Sequence, residues 1–199
     1  MSDMIDILKD RLISFAGMTL DEVSVSLPYW QNRTIPKGDF YNKQNVVCKD
    51  LGIVVKGIFR FYHYDPETGE EKNMFFFSQG QFIVSFGSFI YQHPCRYYIE
   101  ALEDAEIIYI PYNYLQNIYS SHGAWQRFGR ILAEHFFIQS QRRAEELLFL
   151  THEERYVNLL AEHPEIVSRI PAFHIASYLG IKNQSLSRIR KRIADKQQQ

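Results

Sequence analysis

Residues 172–191 read AFHIASYLGIKNQSLSRIRK and have the pattern of two short helices joined by a tight turn. Apolar residues lead up to Gly180, and Leu186 and Ile189 follow it three residues apart, so the two helices can pack against each other. Ala176 is small enough for a close crossing, and Gly180 stands where a helix ends with a positive φ. The spacing predicts a helix-turn-helix.

Polar and basic side chains occupy the second predicted helix, which opens near Lys182 or Asn183, on the faces that Leu186 and Ile189 leave free. Such side chains are the donors and acceptors that contact base edges and phosphates of DNA. The candidates for DNA contact are Lys182, Asn183, Gln184, Ser185, Ser187, Arg188 and Lys191. An ordinary helical hairpin with a solvated basic face is the alternative, but the small residue, the glycine and the apolar positions all agree with DNA binding.

Charge is unevenly distributed along the chain. The formal net charge of −1 alone argues against nucleic acid as a partner. From Lys182 onward, however, six basic residues stand against one acid, Asp195, which leaves 16 basic and 22 acidic residues in the rest of the chain. A basic end on an acidic body is expected of a small DNA-reading module.

Length and composition limit the class of protein. With 199 residues and 46% hydrophobic content, the chain can bury a core and has room for one medium and one small domain. Cys48 and Cys95 form neither a disulfide framework nor a metal cluster, and the N-terminus has no apolar signal region. No apolar run approaches the roughly 18 to 20 residues of a membrane span. We therefore expect a cytoplasmic protein without membrane contact, metal or cofactor.

The chain from about Gln31 to Pro111 has the pattern of a β-domain. Turn signals rich in glycine and proline separate short runs of β-branched and aromatic residues. These runs are 52–56, 58–64, 73–77, 97–101 and 105–110. Strands of this length and spacing predict a β-sandwich or a barrel-like roll.

Residues 112–162 contain no proline and are expected to be helical. An apolar stripe at spacings of three, four and seven predicts a long helix from Gly123 to about Leu150. Its seam could pair with a second copy of the chain through Trp125, Phe128, Leu132, His135 and Phe136. The alternative is that the stripe packs within the core of its own chain.

A β-roll, a long helix and a C-terminal helix-turn-helix together resemble the Crp/Fnr family of bacterial transcription regulators. The resemblance rests on a roll punctuated by Gly38, Gly57 and Gly80, on residues 80–111 (GQFIVSFGSFIYQHPCRYYIEALEDAEIIYIP), and on the helix-turn-helix itself. It covers most of the chain.

This resemblance implies an α+β fold. It implies an N-terminal double-stranded β-helix or jelly roll as effector domain over residues 1–121, a long dimerisation helix over 122–150, and a helix-turn-helix domain over 151–199. The implied function is promoter binding as a homodimer, with an effector in the roll adjusting the affinity and RNA polymerase as a further partner. By position, Asn183, Gln184 and Arg188 would read bases.

The sequence departs from the family at the effector site. Members that bind cyclic AMP resemble one another in a cassette where a glycine and a glutamate open a short helix and an arginine follows ten residues later. Those positions here are Val84, Ser85 and Cys95, and Arg96 is one residue late, which on a strand turns it to the opposite face. Losing two charged contacts, each of about 1.5–3 kcal/mol, weakens binding on the order of 10²- to 10⁴-fold. We expect that cyclic AMP is not the ligand.

The roll could instead hold an apolar or aromatic effector, because aromatic residues concentrate around the cassette. The candidate pocket residues are Phe82, Val84, Ser85, Phe86, Cys95, Arg96 and Tyr97. Aromatic clusters more often form core, so a regulator without any small-molecule effector is the alternative.

The sequence lacks both a wing after the helix-turn-helix and the common motifs of enzymes. After the predicted recognition helix only residues 193–199 remain, in which no β-hairpin wing fits, and missing wing contacts would mainly reduce affinity for phosphates. No nucleophile elbow, P-loop or dinucleotide fingerprint occurs, so we predict no catalytic residues and no enzyme. The rival class is a ligand-binding or protein-interaction module whose helix-turn-helix no longer reads DNA.

Overall fold

The structure, a computed structural model, describes residues 2–197. Met1, Gln198 and Gln199, which the sequence analysis assigned to the terminal domains, lie outside the described residues. The helices are α1 (Ser2–Ala16), α2 (Leu20–Ser24), α3 (Phe86–Tyr91), α4 (Tyr112–Ser121), α5 (Gly123–Phe149), α6 (His152–Glu162), α7 (Pro164–Arg169), α8 (Ala172–Leu179) and α9 (Asn183–Gln197). The strands are β1 (Gln31–Ile35), β2 (Phe40–Asn42), β3 (Asp50–Lys56), β4 (Phe59–Tyr64), β5 (Glu71–Phe77), β6 (Phe82–Ile83), β7 (Tyr98–Ala101) and β8 (Ala105–Pro111).

Two four-stranded antiparallel sheets form the roll, in the strand orders β1-β8-β3-β6 and β2-β7-β4-β5. All five strands predicted from the sequence are confirmed, whereas β2 and β6 are too short and β1 too exposed to show a clear pattern. Gly57 joins β3 to β4 with a φ of 101°, and a Cβ there would lie 2.6 Å from that of Ala105. The connection therefore requires glycine.

The first half of α5 belongs to the core of the roll. Trp125 and Phe128 are fully buried and Leu132 nearly so, among side chains of both sheets and of α1. The indole Nε1 of Trp125 also donates a hydrogen bond to the backbone oxygen of Glu22, 2.8 Å away. In this part of the helix, the apolar stripe packs within its own chain.

The two helices and the turn predicted at the C-terminus are present. α8 ends at Gly180, which has a φ of 72° and the left-handed conformation. Leu186 and Ile189 of α9 are buried, as their spacing predicted. Because α9 continues to Gln197, no strand follows it within the described part of the chain.

A second apolar core joins the roll to the helix-turn-helix. Two roll residues, Ile58 and Phe76, are buried together with side chains from α6 to α9 and the segment between them. We call this group the shared cluster; its other members are Tyr156, Leu159, Ile166, Ile170, Ile175, Ala176, Leu179, Leu186 and Ile189. The two parts of the chain are therefore packed against each other and not merely tethered.

No helix among residues 2–197 combines the length and the apolar character needed to cross a membrane.

Candidate functional site

One exposed face of α9 carries the residues that the sequence singled out for base reading. Gln184, Ser187, Arg188 and Lys191 stand at positions i, i+3, i+4 and i+7, and all four are exposed. This spacing puts them on one side of the helix, opposite the buried apolar residues. Lys182 and Asn183 are exposed at the start of α9, and Ser185 is half-buried.

The six basic residues at the C-terminus divide into two groups. Arg192 and Lys196 pair with Glu153 of α6 at 2.7 and 2.9 Å, and the guanidinium of Arg190 lies over the ring of Tyr156. These three residues attach α9 to α6. The remaining three, Lys182, Arg188 and Lys191, have no ion pair with any described residue. They leave their charge available to a polyanion.

The predicted dimer seam on α5 needs correction. Trp125, Phe128 and Leu132 lie inside the chain's own core and expose no surface to a partner. His135 and Phe136 are partly buried, with ring centroids 5.3 Å from Phe15 and 5.0 Å from Phe86, respectively. The apolar periodicity is present in α5, but it marks the side of the helix that packs against the roll.

A different side of α5 is exposed and apolar. The large side chains that the structure leaves uncovered on this helix are Phe137, Ile138, Leu147, Leu148 and Phe149. Phe137, Ala144 and Leu148 stand seven and four residues apart, which is the spacing of a coiled-coil seam. The seam predicted from the sequence did not include these three residues, although their spacing could have indicated them.

A cavity of about 570 Å³ lies between the second sheet of the roll, α3 and α5. Six of the seven predicted pocket residues line it: Val84, Ser85, Phe86, Cys95, Arg96 and Tyr97. Phe82 does not, because its side chain is buried against Phe15 and Phe128, with ring centroids 4.7 and 5.6 Å away. Strand β5 and helix α5 also line the cavity, with Phe75 and Phe136 among their residues, and these were not among the predicted pocket residues.

Several polar side chains of the cassette bond to one another or to nearby backbone groups. The Ser85 hydroxyl and the Cys95 thiol lie 2.8 Å apart, and both residues are buried. The Ser88 hydroxyl donates to the backbone oxygen of His93 at 2.6 Å and accepts from the amide of Cys48 at 2.9 Å. Burial raises the pKa of the Cys48 thiol to about 12, so it stays protonated at neutral pH.

Cations are poorly placed for a cyclic phosphate. Arg96 lines the cavity but is itself exposed, unlike the buried Cys95 before it. Arg60 is buried in β4, yet it pairs with Glu100 at 2.6 Å and with Glu71, on the side of the sheet away from the cavity. The lining is therefore suited to an apolar ligand.

No group of three or more potential metal ligands lies together among residues 2–197.

Comparisons with known proteins agree with this architecture. Residues 32–122 match the family model of the cyclic nucleotide-binding domain. No curated protein sequence is significantly similar to the chain.

Many solved structures resemble the chain over most of its length. A Crp/Fnr-family transcriptional regulator of Eubacterium rectale shares 18% identity at a TM-score of 0.70, over 90% of this chain and 85% of that chain. The regulator CLP of Xanthomonas campestris, described as responsive to c-di-GMP, shares 18% identity at a TM-score of 0.69, over 89% and 93%. The catabolite activator protein of Thermus thermophilus shares 19% identity at a TM-score of 0.58, over 94% and 87%. Residues 32–122 are thus similar to the cyclic nucleotide-binding domain, and the fold of the chain is similar to that of solved Crp/Fnr regulators.

Proposed function

We propose that this protein is a sequence-specific DNA-binding transcription regulator of Crp/Fnr type. The observation that carries the proposal is the division of the basic residues on α9. Three of them hold the helix in place, and Lys182, Arg188 and Lys191 remain exposed and unpaired among the described residues, beside polar side chains able to read bases.

Each exposed residue has a role in the proposed complex. Arg188 donates to both major-groove acceptors of guanine, and Gln184 pairs with adenine. Asn183 reads a neighbouring base, and Lys182, Ser185, Ser187 and Lys191 contact phosphates or base edges. Water-exposed side chains of this kind gain charge-assisted hydrogen bonds with little rearrangement of the protein.

The regulator acts as a homodimer through the exposed seam of α5. Phe137 is 67% exposed and Leu148 75% exposed in the single chain, and burial of such side chains stabilises a helix pair. A two-fold axis along α5 would present two copies of α9 to successive major grooves, about 34 Å apart. RNA polymerase is the further partner expected of a promoter-bound dimer.

The effector that we propose for the roll is apolar, and it is not cyclic AMP. The positions of the missing glutamate and arginine hold Ser85 and Cys95, which bond to each other. Met74, Phe75 and Phe136 add apolar surface to the same cavity. The thiols of Cys48 and Cys95 fit a protein that works in the reducing cytoplasm of a bacterium.

Selection from a randomised DNA pool tests this function. Purified full-length protein is incubated with the pool at near-physiological salt without added ligand, and bound sequences are amplified. We expect an inverted repeat with half-site centres about ten base pairs apart. Enrichment of no sequence by folded, dimeric protein would overturn the proposal and favour the ligand-binding or protein-interaction module. An enriched site would exclude that rival.

A further inference from the structure

Strand β5 contributes both to the wall of the cavity and to the support of α8. Met74, Phe75 and Phe77 line the cavity. Asn73 and Phe76 point the other way and contact α8, the first helix of the helix-turn-helix. The cavity wall and the support of α8 are thus built on adjacent residues of one strand.

A bulge produces this arrangement. Asn73 pairs with Tyr62 of β4 and Phe75 pairs with Phe61, so Met74 is an extra residue with no partner across the ladder. The alternation of side chains is therefore interrupted, and Met74 and Phe75 both reach the cavity while Asn73 keeps the outer face. Because β5 is at the edge of its sheet, it is hydrogen-bonded to only one neighbouring strand, β4.

The helix-turn-helix is hydrogen-bonded to the backbone of this edge strand. The Ser177 hydroxyl of α8 accepts from the amide of Asn73 at 3.1 Å and donates to the backbone oxygen of Glu71 at 2.7 Å. These two backbone groups lie on the open edge of β5. Ser177 therefore satisfies groups that a further strand would otherwise pair.

His174, one turn before Ser177, adds a second set of contacts. Its backbone oxygen accepts from the side-chain amide of Asn73 at 3.1 Å, and its Nδ1 lies 3.3 Å from a guanidinium nitrogen of Arg60. Arg60 donates in this contact because arginine keeps its proton, so neutral His174 is the acceptor. Phe76 completes the attachment, with its ring centroid 5.4 Å from that of Tyr178.

We propose that β5 transmits the state of the cavity to the helix-turn-helix within a single chain. A ligand that displaces the inner-face side chains also shifts the outer-face contacts that hold α8, because both sets belong to the same short length of backbone. This inference rests on the proposed function and names the route by which its effector acts. The two states of the switch are α8 held on β5 and α8 released from it.

The held state is the one that binds DNA. The reading face of α9 is exposed while α8 lies on β5, so the attachment does not block access. A fixed orientation also reduces the entropy lost when two recognition helices enter adjacent grooves together. Release of α8 therefore weakens binding.

The amide of Asn73 provides a direct readout that needs neither DNA nor a known effector. Its acceptor is the hydroxyl of Ser177, so its hydrogen-exchange rate reports whether α8 is attached. We compare two variants of the full chain that remove an aromatic ring from the same cavity. Phe75→Ala removes it from β5, and Phe136→Ala removes it from α5.

Phe75→Ala is expected to raise the exchange rate of the Asn73 amide at least tenfold relative to amides of β1, an edge strand of the other sheet. Phe136→Ala is expected to leave that ratio within twofold. If Phe75→Ala unfolds the chain, Phe75→Leu replaces it. No selective change with the β5 variant, or an equal change with the α5 variant, overturns the proposal.

A double-mutant cycle on the DNA affinity completes the test. Ser177→Ala alone is expected to weaken binding at least threefold. The DNA dissociation constant of the Ser177→Ala, Phe75→Ala double variant should differ at least threefold from the value obtained by multiplying the two single effects. For the Ser177→Ala, Phe136→Ala double variant, the measured and multiplied values should agree within twofold. A multiplicative Phe75 cycle overturns the coupling. A selective exchange response in protein that enriches no DNA sequence would refute the proposed function while the link between cavity and α8 stands.

Discussion

The hydroxyl of Ser85 and the thiol of Cys95 lie 2.8 Å apart in the wall of the cavity, and each satisfies the other. The resemblance to Crp/Fnr regulators puts a glutamate and an arginine of cyclic AMP-binding members at these two positions. In this chain the two positions hold a neutral pair bonded to itself, where those members would place two charged ligand contacts. The pair is buried, so a cyclic phosphate would lose its hydration without gaining a cation.

Restoring the two charged residues should restore affinity for cyclic AMP. We expect Ser85→Glu combined with Cys95→Arg to bind it at least 100-fold more tightly than the wild-type chain, as two charged hydrogen bonds of about 1.5–3 kcal/mol each would allow. Isothermal titration measures both affinities. Adenosine is the control, since it lacks the phosphate and should gain far less; equal gains for both ligands would contradict the assignment of position 95.

Acid should weaken the fold through His174. Burial, with a further effect from Arg60, lowers the pKa of His174 to about 4, below its ordinary value of about 6.5. The unfolded chain therefore takes up a proton first as the pH falls. The contribution to stability is fully present above about pH 6.5 and is lost progressively down to about pH 4.

Urea unfolding at several pH values measures this loss. His174→Gln, which keeps a polar side chain but cannot be protonated, should flatten the pH dependence between 6.5 and 4 relative to wild type. The identical variant at His152, an exposed residue, is the control and should retain the wild-type slope. Parallel curves for wild type and His174→Gln would show that this side chain is not the titrating group.

Base reading should depend on Arg188 and not on charge alone. Arg188→Ala is expected to weaken binding to a selected DNA site roughly 10- to 100-fold, because one bidentate contact contributes about 1–3 kcal/mol. Arg192→Ala is the matched control, since it removes one positive charge from the same helix but from a residue paired with Glu153. Its effect should stay within about threefold. Fluorescence anisotropy at fixed salt distinguishes the two outcomes.

Substitutions on the exposed seam and on the buried side of α5 should affect different properties of the protein. Leu148→Ser should raise the dimer dissociation constant at least tenfold, because that side chain is exposed in the single chain. Phe128→Ala should instead cost about 3–5 kcal/mol of folding stability, as expected for a fully buried ring. Sedimentation and denaturation measure the two quantities. A dimer insensitive to Leu148→Ser and Phe137→Ser would place the interface elsewhere.

Alanine substitutions at Gly57 and Gly69 should distinguish the cost of a left-handed backbone from the cost of steric overlap. Both have a positive φ, but only Gly57 has a neighbour against the missing Cβ, at 2.6 Å from Ala105. Gly69→Ala should cost about 1–2 kcal/mol for the left-handed conformation. Gly57→Ala should cost about 1–3 kcal/mol more, because the added methyl group overlaps Ala105. Chemical denaturation of the two variants gives the difference directly.

Local signals in the sequence were sufficient for the fold and for much of the candidate site. Gly180, the buried pair Leu186 and Ile189, and the strands between turn signals each follow from neighbours a few residues away. Partners far apart in the chain were not predictable. The periodicity of α5 showed that Trp125 and Phe128 belong to an apolar stripe, but not that the stripe faces the chain's own roll.

No local sequence pattern indicates that α8 packs on β5. Asn73 and His174 are 101 residues apart, and neither belongs to a recognisable local motif. Phe82 was misassigned for a related reason. It lies two residues before Val84 on a very short strand, where the alternation of inward and outward side chains is too brief to indicate direction.

The shared cluster can form only after the C-terminal helices have been synthesised. Ile58 and Phe76 leave the ribosome long before Ile166, Ile175 and Leu186, against which they are buried. Until the last helices are synthesised, the nascent roll carries an uncovered apolar patch. Completion of the helix-turn-helix would cover this patch and so protect the nascent chain from aggregation.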